Sequence, residues 1–415
     1  MVTGNEGATP IDAPLDQEVP ELLAQLVRID STDPGRYEAG VEQFVRRWLQ
    51  ERIAAAPKSH AYIERLEALP GRFCLRATIP AAGDSSAGTQ HPSDLTLLCH
   101  MDTVVLGAGW SEDTPPLGAI VRDGQLWGRG SCDMKGGLAC AMLAFADALA
   151  ECQKSARLPQ HLLSLLCTVD EEDLMRGSEA AIRAGWLGRD GWVLDTEPTD
   201  GLARGSHKGR TWFQLTMHGV TAHASTPWRG ADATAAMAEA ICRIRAGIAA
   251  LPAHPELGTS TVTFGQISGG YSPYVVPDEC QVTIDMRLVP PTSTATAEKL
   301  VRDAAAAAEQ AVPGTHAEIV CTGDRPPVVL DANSPLLSAL ADASQQAGYG
   351  RPQTDVFTGY TDSAVVAGTC GNPNCLSYGP GSLELAHKPD EHVPLSDLAR
   401  VRAVLSQLAR YVLWS

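Results

Sequence analysis

The sequence predicts an α/β protein: an open, mainly parallel sheet, interrupted by a smaller α+β unit. Three observations carry this reading. Apolar strand-like runs alternate with helical patterns through the first half of the chain. Near Arg204 the order changes to strand, helix, two strands, helix, strand. Lastly, His and acidic residues that would have to act together lie on both sides of that interruption, so the chain must return to its first unit. A length of 415 residues suits two domains better than one.

Taken in order, Gln17 to about Ala55 reads as one or two helices. Leu22, Leu23, Leu26 and Val27, then Val41, Phe44, Val45 and Leu49, fall at helical spacing. The first dozen residues read as a loose tail. A strand pattern ends in Ala77-Thr78-Ile79, and 80–93 is a Gly/Ser/Pro-rich surface loop. Strands over 95–100 and 118–122 follow, then the turn Asp123-Gly124 and an apolar helix from Gly137 to about Ala150. A strand over 161–169, a helix over 178–187 and a strand over 192–195 complete the first unit.

In the second unit Thr211 to His218 alternates as a strand, and Asp232 to Leu251 is a long helix. Strands at 260–266 and 280–288, a helix at 294–311 and a strand at 316–321 follow. This β-α-β-β-α-β order suits an antiparallel, ferredoxin-like sheet with helices on one side. The domains expected are 1–204, an insert at 205–322, and the returning segment 323–415.

Composition removes several classes of function. No apolar stretch reaches the roughly 18 residues of a membrane-spanning helix. Met1 to Pro20 has neither a basic nor an apolar leader segment, so no signal peptide is expected. A net charge of −17 argues against nucleic acid and against anionic membranes. Eleven cysteines are scattered without a C-x-x-C, and Cys99, Cys167, Cys280 and Cys321 lie in apolar runs. Buried free thiols in a reducing cytoplasm fit that usage.

The chemistry is concentrated at the ends of apolar runs. His100 and Asp102 close one run, and Asp133 lies in a glycine-rich turn before a helix. Glu171 and Glu172 end another run, Glu197 follows a third, and His387 lies far downstream. Two imidazoles with several carboxylates are a ligand set for a pair of divalent metals, and such a pair serves hydrolysis. In open α/β sheets the carboxyl ends of strands converge on one edge, which would gather these residues. His100 and Asp102 are two apart in an extended segment and point the same way, so Asp102 can accept the free ring N–H of His100. One carboxylate, Asp133, can bridge two metals about 3.5–4 Å apart. The adjacent Glu171 and Glu172 would face opposite ways in an extended segment, one ligating and the other reaching metal-bound water. A solvated turn is the ordinary reading of Asp-Glu-Glu, but here an apolar strand leads straight into it.

Together these motifs resemble the dinuclear zinc aminoacylase and carboxypeptidase family, which includes acetylornithine deacetylase, succinyl-diaminopimelate desuccinylase and glutamate carboxypeptidase. The resemblance runs from about Glu21 to Leu413. It implies two zinc ions, or cobalt or manganese in their place, one held by His100, Asp133 and Glu197 and the other by Asp133, Glu172 and His387. It implies Asp102 as the orienting partner of His100, a cis peptide after Asp133, and Glu171 as general base towards a zinc-bridged hydroxide. The inserted segment resembles a lid and dimerisation domain, which implies a homodimer. His223 would reach across that dimer to the oxyanion, and Arg287 would bind a substrate carboxylate. Gly359 with Thr361-Asp362, and Gly379-Pro380-Gly381, match loops lining the site. Two positions depart from the family pattern: Tyr274 stands where Asn is usual, and His392 follows Glu391 where an aromatic is usual. Tyr274 therefore joins the substrate-binding set. The activity implied is cleavage of the amide of an N-acyl amino acid; a carboxypeptidase or dipeptidase acting on a short peptide is the alternative.

Overall fold

A computed structural model describes residues 17–83 and 91–415. The expected N-terminal tail, and 84–90 of the expected surface loop, lie outside the described residues.

Eight strands form the main sheet, in the order Thr354–Phe357, Ala203–His207, Cys375–Gly379, Trp192–Pro198, Leu95–His100, Leu163–Thr168, Arg72–Ile79 and Tyr62–Leu69. The four central strands, from Cys375–Gly379 to Leu163–Thr168, run parallel. All four are buried along their whole length, so both of their faces are covered, and Leu95–His100 and Leu163–Thr168 read as mainly apolar runs for that reason. The helices Glu18–Val27, Lys135–Ser155, Pro335–Gln346 and Leu395–Trp414 pack on one another, as do Arg176–Arg183 and Asp362–Cys370.

On one flank Ala203–His207 runs antiparallel to Cys375–Gly379 and parallel to Thr354–Phe357; on the other flank both pairs are antiparallel. Tyr62–Leu69 and Arg72–Ile79 are joined by two residues, Pro70 and Gly71, and so short a link permits only an antiparallel pair. The expected strand at 118–122 does not enter this sheet. Ile120–Arg122 folds back on Gln125–Trp127 through Asp123 and Gly124, both at positive φ, and His392–Pro394 completes a separate three-stranded sheet.

The second sheet has the order Thr261–Gly269, Glu279–Leu288, Gly209–His218, His316–Arg325, every pair antiparallel. Alternate residues of its central strand, Phe213, Leu215 and Met217, enter a core shared with the helices Ala233–Ala249 and Thr294–Ala311. This is the strand and helix order expected from 211 to 321. Cys321, expected to be buried, is exposed on an edge strand. All eleven cysteines are free.

At the end of the main-sheet strand Ala203–His207, His207 is fully buried against Phe357 and Tyr360. Burial holds its pKa down to about 4, against an opposing hydrogen bond with the backbone of Gly359. Because the folded value lies below the ordinary 6.5, this group's contribution is complete above pH 6.5 and is lost as pH falls towards 4. His207→Phe should therefore gain on the wild type by about 3 kcal/mol between pH 7 and pH 4. Urea unfolding at both pH values measures this, and a pH-independent difference would mean His207 titrates alike in both states.

Candidate metal centre

The carboxyl ends of the central strands do converge. His100 is the last residue of Leu95–His100, and Glu197 lies inside Trp192–Pro198, one residue from its end. Glu171 and Glu172 follow Leu163–Thr168 in a tight turn, opened by Asp170 at φ 70, so they are not the extended pair expected. That turn aims both carboxylates at one place instead of at opposite faces. Asp133 precedes the helix Lys135–Ser155, and the Asp133–Met134 peptide is cis. His387, at φ 64, arrives from the returning segment.

Asp133 is the hub. Its Oδ1 lies 3.2 Å from His100 Nε2 and its Oδ2 lies 3.4 Å from His387 Nε2. Around His100 Nε2 are also Glu197 Oε1 at 3.7 Å and Glu171 Oε2 at 4.0 Å. Around His387 Nε2 is Glu172 Oε2 at 2.9 Å. One carboxylate thus presents each oxygen to a different imidazole, with a further glutamate beside each. The ligand atoms of His100, Asp133 and Glu172 lie within 4.8 Å of one another, as do those of His100, Glu171 and Glu197. Glu197 Oε1 is buried without a hydrogen-bond partner. An orphaned carboxylate oxygen facing the His100 imidazole fits a hard or borderline divalent cation.

Burial and crowding shift the acidities of these groups. Burial pushes Glu171 and Glu197 well above the usual carboxylate range, and neighbouring carboxylates add to it. Burial disfavours charge on His100, yet its hydrogen bond to Asp133 and the surrounding carboxylates raise its pKa well above 6.5. Asp133 is held well below its ordinary value; burial opposes this, but hydrogen bonds from His100 and His387 outweigh it. Hydrogen bonds to Asp133 and Glu172 raise His387 to about 10.

The orienting contact of His100 differs from the expectation. Its Nδ1 is 3.0 Å from the backbone oxygen of Asp102, while the Asp102 carboxylate is 3.7 Å away. Asp102 instead accepts the backbone N–H of Glu172 at 3.0 Å, so it positions the second glutamate as well.

Two groups of supporting residues escaped sequence reasoning. Glu391 Oε1 accepts the backbone N–H of Cys132 and of Asp133, and its Oε2 pairs with Arg129 at 2.6 Å. Its place four residues after His387 was the available signal. Arg72 joins Asp33, Glu38 and Asp170, and Glu38 accepts the N–H of Asp170 ahead of the Glu171–Glu172 turn. Those partners are distant in sequence and leave no local signal. His392 stacks on Trp127 at 4.0 Å between ring centroids, so it fills the place of the expected aromatic.

The remaining residues lie apart from the cluster. Gly381, at φ 79, packs where a Cβ would meet Cys132 Sγ at 2.6 Å, which keeps it against the Asp133 turn. Gly359 lies beside Phe357 and His207. His223 and Tyr274 sit on exposed loops of the second sheet, and His223 Nδ1 is 2.7 Å from Ser225 Oγ. Among the described residues neither has a hydrogen bond or ion pair with the cluster. Arg287 is held in a two-point pair by Asp285.

With this geometry in place, comparison with known proteins is informative. The profile of peptidase family M20/M25/M40 matches residues 96–411. An acetylornithine deacetylase of Myxococcus xanthus is 27% identical over 399 residues, covering 95% of this chain and 98% of the relative. A probable carboxypeptidase of Neosartorya fischeri is 28% identical over 389 residues, covering 90% and 81%. The crystal structure of a Staphylococcus aureus tripeptidase shares the fold, with a TM-score of 0.73 at 22% identity, covering 95% of this chain and 98% of that one.

Because His387 is raised to about 10, it carries a proton at pH 7 that a divalent ion must displace. Zinc uptake should release protons, and affinity should rise with pH. Calorimetric titration in two buffers of different ionisation enthalpy measures the release; equal heats in both would mean that no proton leaves.

Proposed function

Because the chain belongs to peptidase family M20/M25/M40, we propose that it is a dinuclear-metal amide hydrolase acting on N-acyl amino acids, releasing a carboxylate and a free amino acid. The observation that carries this reading is Asp133 presenting one oxygen to His100 and the other to His387, with Glu171 buried beside His100. His100, Asp133 and Glu197 would hold one divalent ion; Asp133, Glu172 and His387 would hold the other, zinc by preference with cobalt or manganese as substitutes. Such a pair supplies a lowered water pKa and polarisation of the amide carbonyl.

The chain's own residues do the rest. Glu171 takes the proton of the attacking water on its carboxylate and passes it to the leaving nitrogen. Asp102 and Glu391 fix the backbone from which Glu172 and Asp133 project. His223 is exposed and engaged only locally, so we infer that it serves the site of a second copy across a dimer formed through the insert. The partition into 1–204, 205–322 and 323–415 belongs to the same proposal, as does a reducing cytoplasm for the eleven free thiols. Among the described residues no helix is long and apolar enough to cross a membrane.

A carboxypeptidase or dipeptidase activity is the second reading, favoured by the carboxypeptidase relative. The two share every residue of the metal cluster and differ only in the acyl side of the amide.

A free-amine assay on the zinc-loaded protein, with N-acetyl and N-succinyl amino acids beside dipeptides, separates them. We expect release from the acyl amino acids. Glu171→Gln should lose about 10³-fold or more in kcat while retaining both metals, since a general base contributes about 10²–10⁴. Retention of activity within tenfold would remove Glu171 from its role, and release from dipeptides alone would promote the peptidase.

A further inference from the structure

Beyond the end of Gly209–His218 the chain enters the loop that carries His223, and the surrounding bonds fix its backbone. The N–H of Ala224 donates to the carbonyl of Tyr274 at 2.9 Å, and the N–H of Val276 donates to the carbonyl of Ala222 at 2.8 Å. His223 thus sits in a short antiparallel bridge opposite Val275. Its own carbonyl accepts the N–H of Thr226 at 2.8 Å and the Thr226 hydroxyl at 3.4 Å. The backbone is held on both sides while the residue stays exposed.

One residue holds the ring. Ser225 Oγ lies 2.7 Å from His223 Nδ1, and the backbone N–H of Ser225 points at the same Nδ1 at 3.1 Å. A backbone N–H can only donate, so Nδ1 must offer its lone pair. A neutral imidazole whose Nδ1 accepts carries its proton on Nε2. The Ser225 hydroxyl then donates to Nδ1 as well. Among the described residues Nε2 has no hydrogen-bond or ion-pair partner. The loop therefore presents a single outward N–H donor.

We propose that Ser225 is a positioning residue that fixes His223 as a neutral Nε2–H donor. This rests on the amide-hydrolase reading, in which His223 serves the site of a second copy, and it assigns the ring its chemistry there. A neutral donor binds the oxygen of an amide carbonyl and holds it more tightly as negative charge develops on it. The proton stays on Nε2, so the ring stabilises charge without transferring anything. Nδ1 is closed to a proton or a metal ion because both donors of Ser225 occupy its lone pair. A tautomer set in advance costs nothing to select during the reaction, which is what a partner on the far ring nitrogen supplies.

Glutamine and asparagine separate the two ring nitrogens: a Gln amide nitrogen can stand at the Nε2 position, an Asn one at the Nδ1 position. On the metal-loaded protein with the best N-acyl amino acid from the assay, His223→Gln should stay within about tenfold of wild type in kcat. His223→Asn and His223→Ala should lose about 10²–10³, the range for one oxyanion donor. Ser225→Ala should lose about three- to tenfold in kcat with KM little changed, and Ser225→Thr should restore most of it. Added to His223→Gln, which has no tautomer to fix, Ser225→Ala should cost nothing further. His223→Gln as inactive as His223→Ala, or the same Ser225→Ala loss in both backgrounds, would overturn the proposal. Imidazole ¹⁵N NMR at about pH 8.5, where an ordinary imidazole is neutral, reads the tautomer whether or not any amide is cleaved. The His223 signal is identified by its absence from His223→Gln. A single Nε2–H form that becomes a mixture in Ser225→Ala sustains Ser225 even if hydrolysis fails. A protonated Nδ1 in wild type, or identical spectra in both, removes Ser225 whatever the turnover.

Discussion

The structure depends on holding an excess of carboxylate in a buried place. Asp133, Glu171, Glu172 and Glu197 meet at one edge of the sheet, with Asp102 fully buried behind them and pushed up to about 8, chiefly by burial. Two like charges 4 Å apart repel by about 4 kcal/mol at an effective dielectric of 20. Several such pairs would rival the net stability of a domain. Burial and the neighbouring carboxylates push Glu171 and Glu197 upward, and hydrogen bonds to carboxylates raise His100 and His387. Divalent cations would offset that excess of carboxylate, so ligand clustering and a demand for metal are one constraint.

That constraint explains the company the ligands keep. The Glu171–Glu172 turn follows Asp170, which Arg72 and Arg176 both engage. The Asp133 turn is held by Glu391, itself neutralised by Arg129, which also donates to the carbonyls of Val105, Leu106 and Lys388. In both places a cation pairs with a buried acid that grips backbone N–H groups, so the ligand carboxylates are aimed without being consumed. Removing Arg129 would leave Glu391 buried and unpaired, a far larger disturbance than losing a surface ion pair.

The sequence made the candidate metal ligands legible because strand ends are legible. An apolar run that leads into His or Glu is a local signal, and parallel topology turns local ends into one shared edge. The helix Thr294–Ala311 was equally plain, starting after its capping Ser293 and ending before Val312. What stayed hidden was relational. Ile120–Arg122 has strand propensity but no apolar face to bury, so it pairs locally and leaves the main sheet alone. The bend at Asp170 could not be read from side-chain type, since a non-glycine residue at positive φ is imposed by the surrounding bonds. The partner of His100 Nδ1 was misjudged for a similar reason. The backbone carbonyl of Asp102 reaches the ring, and its carboxylate is claimed by the N–H of Glu172.

The same reasoning applies in reverse on the second sheet. The edge of the main sheet concentrates negative charge; the near end of the second sheet concentrates positive charge, in a chain whose net charge is −17. Complementary fields of this kind set orientation before any contact is made. Arg210 joins the two halves even without substrate, through the carbonyl of Asp173. A shift of its guanidinium would therefore act on the turn bearing Glu171 and Glu172.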